Sequence, residues 1–206
     1  MRHFQHPEGK TCILIFLYKV WLGSWKCKTA KNKMIREMIK PTSKDDKPGF
    51  IYGYSIQKEV INSQEKYAYF KIGRTVDPHR RMYALSKICK YDPKVIELFP
   101  SLPGKGRMPN NLQMIDGKID SMLKCPITHR VERLILLEMA CLFKKVNTKC
   151  PVCGARHREW FKVERKQHPK ENRLMTDREL WITYVRPIIL RWIQYGVIFS
   201  AISNNK

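Results

Sequence analysis

The stretch YAYFKIGRTVDPHRRMYAL, Tyr67 to Leu85, passes from a strand pattern through a glycine into a helix start bearing two adjacent arginines. Tyr67, Tyr69 and Lys71 alternate with Ala68, Phe70 and Ile72, the two-residue period of a strand whose faces differ in chemistry. Upstream, GFIYGYSIQ sets Phe50, Tyr52, Tyr54 and Ile56 against Ile51, Gly53 and Ser55. Two such runs with a polar connection predict a hairpin, and both strands carry a tyrosine face. Asp77 and Pro78 then provide an N-cap and a first-turn proline for a helix of about three turns. KVIELFP adds a third strand ending at Pro100. These elements commit the chain to a mixed α/β fold around a small sheet.

The rest of the chain is organised about that unit. Residues 1–25 read as a strand or short helix, and KCKTAKNKMIREMIKPTSKDDKPG as a basic, then mixed-charge connector closing at Pro48 and Gly49. The predicted layout is a basic extension over 1–47, an ordered domain over 48–164 and a helical tail over 165–206. SLPGKGRMPNNLQ, rich in Gly, Pro and Asn, marks an insertion over about 101–124. ITHRVERLILLEMACLFKK carries the strongest helix pattern, and CPVCGARHREWFKVE is a cysteine-bearing turn running into an edge strand. In the tail, RELWITYVRPIILRWIQYGVIF is an apolar helix interrupted by Pro187. Arg186 and Arg191 argue against a bilayer span, and the aromatic surface suits a protein partner.

Lys and Arg number 40 against 18 Asp and Glu, a net charge of +22 on a chain that is 43% hydrophobic. That is a globular protein with a cationic surface, and its natural partner is a polyanion. Nucleic acid ranks first, an anionic membrane surface second and mere solubilisation third. Cys12, Cys27, Cys89, Cys125, Cys141, Cys150 and Cys153 form an odd, scattered set, which fits the reduced thiols of an intracellular protein better than a disulfide framework. CILIFLYKVWLGSW is short for a membrane span, contains Lys19 and lacks a developed cleavage site, so secretion is not expected.

Helical projection brings charged groups onto inner faces. After Asp77, Met82, Leu85, Ile88 and Cys89 define an apolar arc that includes Arg81 and leaves His79 and Arg80 outside. A guanidinium there is a paired or snorkelling side chain, or it stands at the edge of a cleft. In the later helix, Glu132 and Glu138 both fall within the arc of Val131, Leu134, Ile135, Met139 and Leu142. Each is a partner for Arg81 or an oxygen ligand for Mg²⁺, and the two lie too far apart to share one ion easily.

GFIY on one strand, KIG on the next, Arg81 eight positions after Gly73 and then a glutamate-bearing helix follow the order of the GIY-YIG nuclease superfamily. FKIGRT, HRVERLILLEM and HREWF resemble most closely its branch of fungal meiotically up-regulated gene 113 proteins and the bacteriophage open-reading-frame-172-like domain, over roughly residues 48 to 163. The resemblance implies a three-stranded antiparallel sheet flanked by helices and a metal-dependent endonuclease hydrolysing DNA phosphodiesters, with RNA left open. It makes Tyr52 a general base or water-orienting group. Arg81 becomes the donor to phosphate charge, and Glu132 the ligand of Mg²⁺ or Mn²⁺, with Glu138 in reserve. Tyr54, Arg74 and Arg80 are the expected nucleic-acid contacts. Two departures stand out: Phe50 and Ile51 precede Tyr52 where the superfamily has Gly and Ile, and Lys71 replaces the second motif's tyrosine. Lysine can contact phosphate or lower the pKa of Tyr52 by its charge, but cannot supply a phenol. The alternative is a non-catalytic, zinc-containing nucleic-acid-binding module of the same fold.

CPVCGARH places Cys150 and Cys153 in a C-x₂-C turn with His157 four residues on, the spacing of a structural Zn²⁺ half-site in a reduced, nuclear or cytosolic compartment. A redox pair and an incidental loop are the other readings. Cys125, His129 and Cys141 are the candidates for a fourth ligand.

Overall fold

The computed structural model describes residues 28–56, 66–89, 93–100, 124–149, 154 and 156–204. Its elements are α1 (Lys28–Ile39), β1 (Phe50–Ile56), β2 (Tyr67–Thr75), α2 (Pro78–Cys89), β3 (Pro93–Phe99), α3 (Thr128–Leu142), β4 (Lys144–Lys149) and β5 (Arg156–Glu164). A C-terminal helical segment completes the chain: α4 (Asp177–Leu180), a π turn (Trp181–Val185) and α5 (Arg186–Asn204). The sequence expectations for residues 1–25 and for the insertion fall outside the described residues.

The strands form one antiparallel sheet in the order β3-β1-β2-β5-β4, five strands rather than the three expected. The expected edge strand REWF lies inside β5, flanked by β2 and β4. The outer strand β4, KKVNTK, has little apolar alternation and so left no strand signal. Its lysines suit an edge, where charge discourages pairing with another chain.

The sheet is covered on both faces. Ile51, Ala68, Phe70, Ile72, Phe161 and Val163 point into a core completed by α1, α3 and the C-terminal segment, with Leu134, Ile135, Trp181 and Trp192 all buried. Full burial of such a side chain contributes about 1.5–3 kcal/mol. Gly53 is what lets Trp181 reach the sheet, because a Cβ there would lie 1.8 Å from the tip of the indole. Asp177–Ser203 is long and apolar enough to cross a membrane by length and composition. Here its inner stripe, including Leu180, Ile188, Ile189 and Tyr195, packs into this core.

Two carboxylates on the helical face are paired. Glu138, 3% exposed, joins Arg191 in a salt bridge and accepts a 2.6 Å hydrogen bond from Trp192 Nε1. Glu97 accepts from Trp181 Nε1 at 2.9 Å and from Arg186 Nε at 2.9 Å. The break expected at Pro187 takes the form of the π turn just before it: proline lacks an N–H and crowds the carbonyl four residues back, so the turn widens. Thr176 and Glu179 close a capping box at the start of α4.

The stretch read as a connector contains the 12-residue α1. Ala30, Met34 and Met38, spaced four apart, are buried against the core beneath the helix's many charges. Burial pushes the Glu37 carboxyl up, but hydrogen bonds from Lys40 and Arg133 outweigh it and hold the group below its ordinary range. Arg130 of α3 fastens the chain just beyond α1, donating to the Pro41 carbonyl at 2.7 Å and lying 3.5 Å from Asp46.

Candidate active site

The second face of the sheet carries a smaller cluster of Tyr52, Tyr54, Trp160 and Leu85 of α2. Pairing sets Tyr52 opposite Gly73 and Tyr54 opposite Lys71, and Lys71 opposite Trp160. Since strand side chains alternate, these residues share one face. The Tyr52 and Tyr54 rings stack with centroids 6.0 Å apart, and Trp160 meets Tyr54 edge-on at 5.3 Å. Trp160 Nε1 is buried with no hydrogen-bond partner among the described residues.

Gly73 shapes this face. A Cβ on Gly73 would come within 2.5 Å of the Tyr52 hydroxyl. The glycine of KIG therefore makes room for the phenol of the neighbouring strand to lie across β2.

Arg81 reaches this phenol from above. Thr75 Oγ1 donates to the Asp77 carbonyl at 2.9 Å and Asp77 Oδ1 accepts from the Arg80 amide at 3.0 Å, fixing the turn from β2 into α2. Arg81, in the first turn of that helix, donates from Nε to the Tyr52 hydroxyl at 3.0 Å while its side chain stays exposed. The helix N-terminus adds partial positive charge at the same place. Lys71 is 6% exposed and stands between Tyr54 and Trp160 across the strands. The arrangement is an aromatic floor with a phenol and a guanidinium at its mouth, suited to an anion.

The other candidates divide. Arg74 alternates with Gly73 and so belongs to the face covered by α3, where its Nε donates to Glu132 Oε2 at 3.1 Å. Glu132 thus stands on the helix that packs on the face opposite the Tyr52–Arg81 pair. Glu138 is tied to Arg191 and Trp192 within the core. Tyr54 is 1% exposed and enclosed by Tyr52 and Trp160, so it offers no open ring to a base. Arg80 is exposed beside Arg81, as is His79.

Cys150 and Cys153 lie outside the described residues, as does the side chain of His157. Among the described residues no cluster of three or more His, Cys, Asp or Glu is placed to hold a metal ion. Cys125 is buried at the start of α3, and burial pushes its thiol up to about 12, against a smaller opposing hydrogen bond from the Ile127 backbone. Cys141 is exposed near the end of α3, just before β4.

Local sequence patterns single out neither Trp160 as part of this face nor Arg74 as the partner of Glu132. Both depend on pairing between distant segments, which local periodicity does not encode.

A five-stranded antiparallel sheet with helices on both faces and an aromatic, cationic site defines a mixed α/β protein with an anion-ready face. The family model Meiotically up-regulated gene 113 matches residues 67–195, and the chain belongs to that family. The matched region runs from β2 to Tyr195 of α5; it includes Lys71, Gly73, Arg81 and Glu132 and starts after β1, which carries Tyr52. No curated protein and no solved structure matches the chain.

Proposed function

We propose that the protein is a metal-dependent endonuclease of the GIY-YIG type acting on DNA. The observation that carries this reading is the 3.0 Å bond from Arg81 Nε to the Tyr52 hydroxyl on a chain of charge +22. Tyr52 holds and deprotonates the attacking water, and its bond from Arg81 lowers the cost of the phenolate. The remaining guanidinium N–H groups stabilise charge on the phosphate oxygens, for which their planar fork is matched. Lys71 adds positive charge on the same face.

The resemblance assigns the divalent ion to Glu132, but that side chain is 13% exposed and paired with Arg74 on the face opposite Tyr52 and Arg81, so as placed it does not supply a Mg²⁺ ligand at that pair. A divalent ion held at the reacting phosphate would polarise it and stabilise the leaving oxygen. Cys150, Cys153 and His157 form a separate structural Zn²⁺ site. About one zinc per chain is the expected metal content, and its absence from chelator-free protein, with an unchanged Tm for Cys150→Ser, contradicts the assignment.

The decisive assay incubates the protein with supercoiled plasmid, branched DNA and RNA, in Mg²⁺, Mn²⁺ or chelator. Nicking that needs the divalent ion supports the reading; no cleavage of any substrate at any pH contradicts it. Lys71→Met should slow nicking and move the pH–rate profile upward, while Lys71→Tyr retains partial activity. The second reading is a non-catalytic nucleic-acid-binding module. It is favoured by the engagement of Glu132 with Arg74 on the opposite side of the sheet, and it predicts salt-sensitive DNA binding without cleavage.

A further inference from the structure

At the far end of the strands from Tyr52, a cavity of about 340 Å³ opens beside the start of β2, the start of β4 and the end of β5. Tyr67, Lys144, Lys162, Lys166 and Tyr184 line it, together with Glu164. Six residues of β2 separate Tyr67 from Gly73, so the cavity stands roughly 20 Å along the strand from the Tyr52–Arg81 pair.

Its charge is uneven. Glu164 is met by Lys66 at 3.4 Å and Lys166 at 3.7 Å. Lys144 and Lys162 face each other across β4 and β5 with no ion pair among the described residues. The Lys162 ammonium is held 3.6 Å from the centroid of the Tyr67 ring, a cation–π contact that fixes its position without neutralising it. The π turn supplies the other wall. Trp181 and Val185 are buried while the residues between them are exposed, which turns Tyr184 outward at 38% exposure beside Leu142 at 57%. Two uncompensated ammonium groups beside an open aromatic ring match one phosphate and one flat base.

We propose that this cavity holds one nucleotide of a single-stranded segment, its phosphate on Lys144 and Lys162 and its base against Tyr184. The proposal rests on the nucleic-acid reading above and not on cleavage. It assigns the protein a substrate with an unpaired strand running about 20 Å from the Tyr52–Arg81 pair.

The test is fluorescence anisotropy of the full chain with a labelled oligodeoxythymidine and a duplex of equal length, over a salt series in chelator. Lys144→Ala combined with Lys162→Ala should weaken single-strand binding about 10-fold and flatten the log–log salt slope by about 0.7, the share of one phosphate on a single strand. Tyr184→Ala should weaken the single strand roughly 10-fold and leave the duplex within about 2-fold. Photocrosslinking of wild-type protein to a bromodeoxyuridine oligonucleotide should mark the peptide containing Tyr184, a readout independent of how the variants fold. Unchanged single-strand affinity with wild-type Tm, or an equal loss on duplex and single strand, overturns the proposal. So does a crosslink map that omits Tyr184. Loss of binding to phosphatidylcholine–phosphatidylserine vesicles with oligonucleotide binding intact assigns the cavity to a membrane surface and also overturns it. A protein that binds as described and never nicks DNA sinks only the nuclease reading. One that nicks DNA with unaltered single-strand binding in the variants sinks only this one.

Discussion

Gly53 and Gly73 sit on neighbouring strands and open opposite faces of the same sheet. Gly53 admits Trp181, an indole whose N–H is bonded to Glu97 within the helical layer. Gly73 admits Tyr52, a phenol whose hydroxyl accepts from the exposed Arg81. The missing Cβ admits an indole into the core in the first case and lays a phenol beside a guanidinium in the second. The charges divide in the same way. On the helical face, Glu138 and Glu97 are engaged by Arg191, Trp192, Trp181 and Arg186, as burial demands. On the aromatic face, Arg80 and Arg81 are exposed, with Arg81 bonded to the Tyr52 hydroxyl.

That division has consequences for stability. Gly53→Ala forces Trp181 off the sheet and should cost about 3 kcal/mol, the upper end for overpacking, read as a lowered denaturant midpoint at constant slope. Glu138→Ala leaves Arg191 and the Trp192 N–H without their carboxylate and should cost about 3 kcal/mol as well. Gly73→Ala displaces the Tyr52 hydroxyl and should cost only about 1 kcal/mol while lowering plasmid nicking ~10²-fold. A Gly73→Ala protein that loses more stability than Gly53→Ala would break the comparison.

The smallest effect concerns the thiols. Cys141 is exposed and should react with a maleimide at neutral pH, whereas Cys125 should react only on unfolding. Because folding raises the Cys125 pKa from 9.0 to about 12, its contribution is full below about pH 9 and is lost as pH rises toward 12. Cys125→Ala should remove that part of the alkaline destabilisation, measured as Tm against pH.

Much of the aromatic face was legible because it is local. The alternation of β1 and β2, the Asp77 cap and the angular position of Arg81 are all properties of short segments, and together they bring Tyr52 and Arg81 to one place. The features that escaped are long-range. Helix α1 hid its Ala30, Met34, Met38 stripe among lysines and arginines, and β4 carries too little apolar alternation to announce a strand. Glu132 falls on the inner arc of α3 by projection, but its partner Arg74 could be chosen over Arg81 only once the pairing of β1 with β2 fixed which residues face that helix.

The central claim is that the aromatic face cleaves while the helical face holds the fold. Its most direct test is the divalent-dependent nicking rate of Tyr52→Phe and Arg81→Ala beside wild type, with Tm measured on the same preparations. The account predicts a loss of ~10²-fold or more in rate for each variant, with most DNA binding kept and Tm nearly unchanged. Nicking at the wild-type rate by both variants would contradict it.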